Sequence, residues 1–455
     1  MLVIVSDIHL GDGTTASSIS PSAFHLFSNR LRETAYYASF RRDGSYRPIE
    51  SLDLLLMGDI LDPLHSTLWL DTAPGALTYT RPWTNTSNPG FAGTLAETTR
   101  AILRVNQESL EILQRCANGE IILLPPANAR GEPDPDSKER VAIRARIHYM
   151  IGNHDWYYHI PGKAFDEIRQ TLITSLGLCN DIGPFPYDLD EHPGLREILA
   201  SYRVFARHGD YYDKFNFNRE KGRDHATLGD VFTMDVCNRF PVEVQRRYGD
   251  QLPGGIIESL RQITNVRPAL AAPLWISGQI KRHAGSAGLE TELKKVWDNL
   301  CDEFLQLPVV REEDQAFKFD IVDALQLLLK ISKRTSFETV NDIVVWVRDR
   351  LHENERSLAG HALQEPAFLD NSARFIVYGH THHHEIVALD SDGEPPHEQN
   401  QLYINSGTWR SYYNLAVKDP TEQKFVQYQT LTYLTFYKDD ERAGQLLETW
   451  SGAYI

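Results

Sequence analysis

Cysteine is scarce: the 455 residues contain four, Cys116, Cys179, Cys237 and Cys301, with no Cys-x-x-Cys pair. This excludes a thiolate zinc site and a disulfide-rich framework, and it fits a reducing cytoplasm. Long uncharged apolar runs are missing too. The most apolar stretch, Ile321 to Ile331, is broken by Asp323, Gln326 and Lys330 and falls short of the roughly 18 apolar residues of a membrane-spanning helix. No transmembrane segment is expected, and a peripheral contact with a membrane surface stays open. Leu2 to Val5 follows Met1 with neither a basic segment nor a cleavage pattern, so it reads as a strand and not as a leader. Positive charge is in deficit, with 46 Lys and Arg against 62 Asp and Glu, a formal net charge of −16. Such a mean field repels polyanions, so nucleic acid is a poor partner unless a basic groove or bound metal reverses the sign locally.

What is present is globular: 42% hydrophobic and 24% charged residues, in a chain long enough for two domains or one much-inserted domain. Short apolar runs end abruptly in Gly, Asp or His: LVIVSDIH (2–9), LDLLLMGD (52–59), ARIHYMIGNHD (145–155), YRVFARHGD (202–210) and RFIVYGHTH (374–382). They read as buried strands, alternating with helical patterns such as Leu95 to Cys116, and the fold class is α/β (α+β). Residues 384–389, 401–409, 425–437 and 445–450 read as further strands. Residues 63–94 look like a long loop packed by its own aromatics, and 125–139 like an exposed excursion. From 211 to 370 strand signals nearly vanish. Val296, Trp297, Leu300, Phe304 and Leu307 share a helix face there, and Thr335 with Glu338 forms a capping box before another helix. The chain thus divides into a core in two parts, 1–210 and 371–455, around a helical insertion, 211–370, a candidate cap.

In α/β proteins the carboxyl ends of strands collect the chemistry. Asp7 and His9, at i and i+2, can turn to one side of extended chain. Asp59, Asn153, His154, His208, His380 and His382 occupy the other strand ends. Singly, a strand-end His is an ordinary hydrogen-bonding group and a GD dipeptide an ordinary turn. Jointly they are metal-compatible side chains at every strand end.

The blocks SDIH, GDILD, GNHD, ARHGD and GHTH, in that order, resemble the calcineurin-like metallophosphoesterase family. The resemblance covers residues 1–210 and 371–455 and implies a β-sandwich flanked by helices. It implies that Asp7, His9 and His382 bind one metal, that Asn153, His208 and His380 bind another, and that Asp59 bridges them. His154 would be the catalytic residue facing substrate, and Asp62 and Asp155 would orient ligands. Imidazole, carboxylate and amide donors suit Mn²⁺ first, with Fe or Zn²⁺ as alternatives. Two divalent ions against two aspartates leave about +2 in the pocket, attracting a phosphate into an acidic protein.

The resemblance implies hydrolysis of a phosphodiester or pyrophosphate bond by metal-activated water. The HGD block before a helical insertion is similar to the UDP-2,3-diacylglucosamine hydrolases, whose helical lid accepts acyl chains, which points to a small or lipid-linked phosphorylated substrate. A nuclease acting on single-stranded DNA or RNA is the competing reading. A non-catalytic relative would have lost ligands, and none is lost. Lys214, Arg219, Lys221, Arg223 and Arg410 are candidate anion contacts, and Trp156 to His159 candidate pocket walls.

Overall fold

The computed structural model describes residues 1–72, 76, 78–267, 271–283, 287–316, 358–392, 399–416, 418 and 424–454. The Thr335–Glu338 capping box and the apolar run Ile321 to Ile331 lie outside the described residues. The chain begins with β1 (Leu2–Val5), α1 (Pro21–Ala38), β2 (Leu52–Met57), α2 (Pro89–Val105), α3 (Gln107–Ala117), β3 (Ile122–Leu124), β4 (Val141–Ile143), β5 (Ala145–Met150), α4 (Lys163–Leu176), α5 (Pro193–Ala200) and β6 (Val204–Ala206). A mainly helical part follows: α6 (Leu228–Phe232), α7 (Arg239–Tyr248), α8 (Ile256–Arg261), β7 (Val266–Arg267), α9 (Ala272–His283), α10 (Ala287–Gln306) and α11 (Pro308–Ala316). Then come β8 (Phe375–Tyr378), β9 (Glu385–Asp392), β10 (Gln399–Asn405), β11 (Ser411–Leu415), β12 (Phe425–Phe436) and β13 (Leu447–Tyr454).

These strands form two main mixed sheets. One has the order β5-β2-β1-β12-β11-β7, with β13 also paired to β12; the other has the order β6-β8-β10-β9. Side-chain alternation explains the layering. Leu2 and Ile4 of β1 point into a core shared with Val204, Phe375, Val377 and Ile404 of the second sheet, whereas Val3 and Val5 point the other way, onto α1. α1 answers with Phe24, Phe27, Leu31, Ala35 and Ala38 at helical spacing, after Ser20 caps its first turn and Pro21 opens it. Both faces of β1 are therefore buried, which is why its run carries no polar residue. The described fold is thus mixed α/β, two sheets face to face with helices outside.

β1, β2 and β5 run parallel, as do β6, β8 and β10. Their carboxyl ends gather on one edge.

The structure sharpens three readings from sequence. The stretch from Leu95 to Cys116 is helical as read, but divided into two helices: Asn106 ends α2 and precedes α3, its side-chain amide bonding the Gly11 and Ile102 carbonyls. The 63–94 segment is less loop-like than expected, since Asn88 caps α2 at Pro89 and short helical turns cover Pro63–His65 and Thr67–Leu70. Its Trp69 and Phe91 do pack together, with ring centres 5.3 Å apart. The helical part is also not strand-free, because β7 pairs with β11 and joins it to the first sheet. Val296, Trp297, Leu300 and Phe304 of α10 are buried in a separate apolar cluster with Phe232, Phe240 and Trp275.

Candidate metal centre

Each candidate side chain follows a strand end by two to four residues, and backbone hydrogen bonds carry the sheet pairing into these turns. Asp7 N–H donates to the Gly58 carbonyl at 3.0 Å, His9 N–H to Asp59 at 2.9 Å, and Gly379 N–H to His208 at 2.8 Å. The sheets are latched together at the same level. Trp409 N–H and Thr408 Oγ1 both donate to the Asp7 carbonyl, at 3.1 and 2.7 Å. Asp7, His9, Asp59, His380 and His382 all have φ between 53° and 68°, the left-handed region that costs a side chain energy. Outliers gathered at one place are backbone held for a purpose. No side chain fits at Gly152, where a Cβ would strike Asp59 and His208, or at Gly379, where it would lie 2.6 Å from Asp7 Oδ2.

Ligand atoms of Asp7, His9, Asp59 and His382 lie within 4.8 Å of one another. His9 Nε2 is 3.2 Å from His382 Nε2 and 3.7 Å from Asp59 Oδ2, and His382 Nε2 is 3.1 Å from Asp7 Oδ1. Donors bonded to one ion at about 2.0–2.2 Å are separated by about 3–4.5 Å, so the spacing fits a cation. On the other side of Asp59, His208 Nε2 is 3.2 Å from both Asp59 Oδ2 and Asn153 Oδ1. His208 Nδ1 lies 3.1 Å from the Met57 carbonyl and must donate to it, which leaves the Nε2 lone pair of a neutral ring facing two oxygens. Only a proton or a metal ion between them makes that favourable.

Asp7 Oδ1 and Asp59 Oδ2 are buried and have no hydrogen-bond partner. Their near polar neighbours are the ring nitrogens His382 Nε2 at 3.1 Å and His208 Nε2 at 3.2 Å, and coordination of a cation would satisfy these buried carboxylate oxygens and the rings together. These buried His and Asp groups could therefore hold metal ions. The titration directions agree. Burial opposes a charge on His208, but Asp59 and Asp7 outweigh it and hold its pKa well above the usual histidine range. Burial raises the Asp7 pKa, only partly offset by His208, whereas His208 and His154 overcome burial at Asp59 and hold its pKa well below the ordinary value. Protons and metal would compete for these atoms.

His380 joins the group differently. Its ring centre is 5.5 Å from that of His208 and its N–H donates to Asp7 Oδ2 at 3.2 Å, but Nε2 is 3.0 Å from Asp213 Oδ2. A metal contact from His380 would therefore use Nδ1.

Asp62 is a hub: its carboxylate accepts from Nδ1 of His9 at 2.9 Å, of His65 at 2.5 Å and of His154 at 3.1 Å. These four residues also lie close enough for one ion. Each imidazole, however, spends its Nδ1 proton on Asp62, so the hub orients rings and is satisfied without a metal. His154 N–H donates to Asp59 Oδ1 at 2.8 Å, and its ring stands 4.6 Å from that of His9. Asp155 accepts from Tyr149 Oη at 2.7 Å and from the Gly152 and Ile60 amides at 2.6 and 3.0 Å, fixing the GNHD turn. His65 and Asp213 were missed from sequence. The available signals were a His three residues after Asp62 and an Asp five after His208.

Several proposed anion contacts are engaged elsewhere. Arg223 pairs with Asp210 at 2.5 Å, and Arg219 lies 4.3 Å over the Tyr211 ring. Arg410 is buried, with Nε donating to Asn265 at 2.5 Å. Trp156, Tyr157 and Tyr158 are buried in the core behind the site. His384 Nδ1 contacts the Asn405 carbonyl at 2.8 Å, just before β9.

His159 is held by Asp224 at 2.5 Å and Glu191 at 3.4 Å. Burial lowers its pKa, but the two carboxylates push it from 6.5 up to about 9. A raised folded-state pKa stabilises fully below 6.5 and loses that contribution as pH climbs through about 9. With Asp224 and Glu191 each 35% exposed, we expect about 1–2 kcal/mol after solvent screening. Urea midpoints should separate wild type from His159→Gln at about pH 6 and converge at about pH 10; an equal gap at both would refute this ion pair.

Among the described residues no helix is long and apolar enough to cross a membrane. Compared with known proteins, the chain matches no family model and no curated protein.

Proposed function

We propose that the chain is a dinuclear metal-dependent phosphoesterase of the calcineurin-like metallophosphoesterase kind, hydrolysing a phosphodiester or pyrophosphate bond. The observation that carries this reading is the convergence of buried carboxylate oxygens, Asp7 Oδ1 and Asp59 Oδ2, with the ring nitrogens of His9, His208 and His382. Asp7, His9 and His382 would hold one ion and Asn153, His208 and His380 the other, with Asp59 shared between them. Mn²⁺ suits this donor set best, ahead of Fe or Zn²⁺. Two divalent ions held there would supply Lewis-acid polarisation of the phosphoryl group and acidify an attacking water.

The chain's own groups do the rest. Asp62 holds His9 and His154 in fixed tautomers, so that Nε2 of each ring faces the pocket. The attacking water loses a proton to solvent, its oxygen bonds to phosphorus as the bond to the leaving oxygen breaks, and protonated His154 delivers its Nε2 proton to that oxygen and regains one from solvent. The helical part reaches the same edge. Asn238 Nδ2 donates to the Leu64 carbonyl and Gln262 Nε2 to Ser17 Oγ, both at 2.9 Å, and Asn265 meets Arg410. These contacts of the described residues support reading the insertion as a cap; the small or lipid-linked substrate rests on the sequence resemblance alone.

The test is a substrate panel of aryl phosphates, nucleotide diphosphate sugars, cyclic nucleotides and oligonucleotides, run on chelated protein and again after Mn²⁺ is restored. We expect Mn²⁺-dependent hydrolysis of an aryl phosphodiester or a diphosphate sugar. Hydrolysis confined to oligonucleotides would make the chain a nuclease, and no turnover by protein shown to carry two ions would end the phosphoesterase reading.

A further inference from the structure

We infer that Asp213 is a positioning residue for the second ion: by holding Nε2 of His380 it presents Nδ1 of that ring to the metal, so the first turn of the helical insertion governs occupancy of the site. The inference rests on the two-ion reading above.

His380 has few other constraints. It sits in a turn at φ 68°, anchored by its backbone N–H to Asp7. Its ring is only edge-on to that of His208, at an interplanar angle of 69°. The Asp213 contact at 3.0 Å fixes which ring nitrogen carries hydrogen. A carboxylate on one nitrogen makes an imidazole a stronger and better-aimed donor at the other.

Asp213 belongs to neither sheet. It follows the helical turn Asp210–Tyr212 and is itself held, Oδ2 accepting from Asn216 Nδ2 at 2.7 Å and Oδ1 from the Phe215 N–H at 2.9 Å. The Phe215 carbonyl in turn accepts from the Gly229 N–H of α6 at 2.9 Å, and a side chain at Gly229 would strike Asn216. A continuous run of contacts therefore joins the first helix of the insertion to His380. Next door, Tyr212 Oη donates to Glu365 at 2.5 Å and its ring stacks on His361 with centres 4.3 Å apart, which clasps the chain leaving the insertion to the chain going in. A purely structural Asp213–His380 pair would stabilise this neck without touching metal affinity.

Stepwise Mn²⁺ titration of the chelated full chain, followed by electron paramagnetic resonance, separates the two. Wild type is expected to take two ions and to show the exchange-coupled signal of a pair. Asp213→Asn is expected to keep the first ion at wild-type affinity and weaken the second by about 10–100-fold, losing the coupled signal at concentrations that saturate wild type. Asn216→Ala, which leaves Asp213 in place but loosens it, shifts the second ion in the same direction by a smaller factor. Wild-type affinity for the second ion in both variants overturns the inference alone. A wild-type chain that never takes a second ion overturns the two-ion reading and this inference with it.

Discussion

Asp59→Asn is expected to weaken both ion sites and to lower hydrolysis of an aryl phosphodiester by at least about ten-thousand-fold, about 5–6 kcal/mol of barrier. The change is nearly isosteric. Asparagine Oδ1 can still accept the His154 N–H now 2.8 Å from Asp59 Oδ1, so the turn should survive. What is lost is Oδ2, which lies 3.2 Å from His208 Nε2 and 3.7 Å from His9 Nε2 and so stands between the two sides. An amide N–H₂ there has no lone pair to offer a cation and donates instead to the ring nitrogens that would bind one, and it removes the charge that holds the His208 pKa high. Metal content by plasma emission spectrometry and turnover on the same sample check the prediction. Two tightly held ions with unchanged turnover in the variant would defeat the bridging assignment.

His154→Ala should leave both ions bound and lower turnover of an alkyl phosphoester by about 10²–10³-fold, because a poor leaving group needs its proton. An aryl ester with a good leaving group should lose much less. Burial lowers the His154 pKa, but Asp62 and Asp59 outweigh it and push it up to about 9. The ring is thus protonated at neutral pH and loses its proton as pH rises. The wild-type rate should accordingly fall on the alkaline side, with the limb moved below 9 by bound cations, and His154→Ala should lack that limb. Equal losses on both classes of ester would show that His154 stabilises charge without delivering a proton.

The strands that position the site were legible because their residues face apolar cores on both sides, as Leu2 to Val5 and, Asp53 apart, Leu52 to Met57 do. An apolar run that short and that unbroken is what a strand covered on two faces requires. Seven ligand candidates were legible because each stands where such a run breaks. The break at Asn106 was not, since its cause is a side-chain amide reaching the Gly11 carbonyl, a distant partner that helical periodicity does not encode. His65 and Asp213 escaped for a related reason: each acts through another residue, Asp62 and His380, and only folding shows that pairing. Arginines after His208 looked like substrate contacts because charge near a ligand suggests it, yet Asp210 and Tyr211 occupy Arg223 and Arg219. β7 was invisible as a strand of two residues defined only by its partner β11.

In the dinuclear reading Asp59 stands between two cations. Anomalous diffraction from crystals of the Mn²⁺-loaded chain tests it directly. Two peaks about 3.5–4 Å apart are expected, one bounded by Asp7, His9 and His382, the other by Asn153, His208 and His380, with Asp59 touching both. A single peak, or one seated among Asp62, His65 and His154, would contradict it.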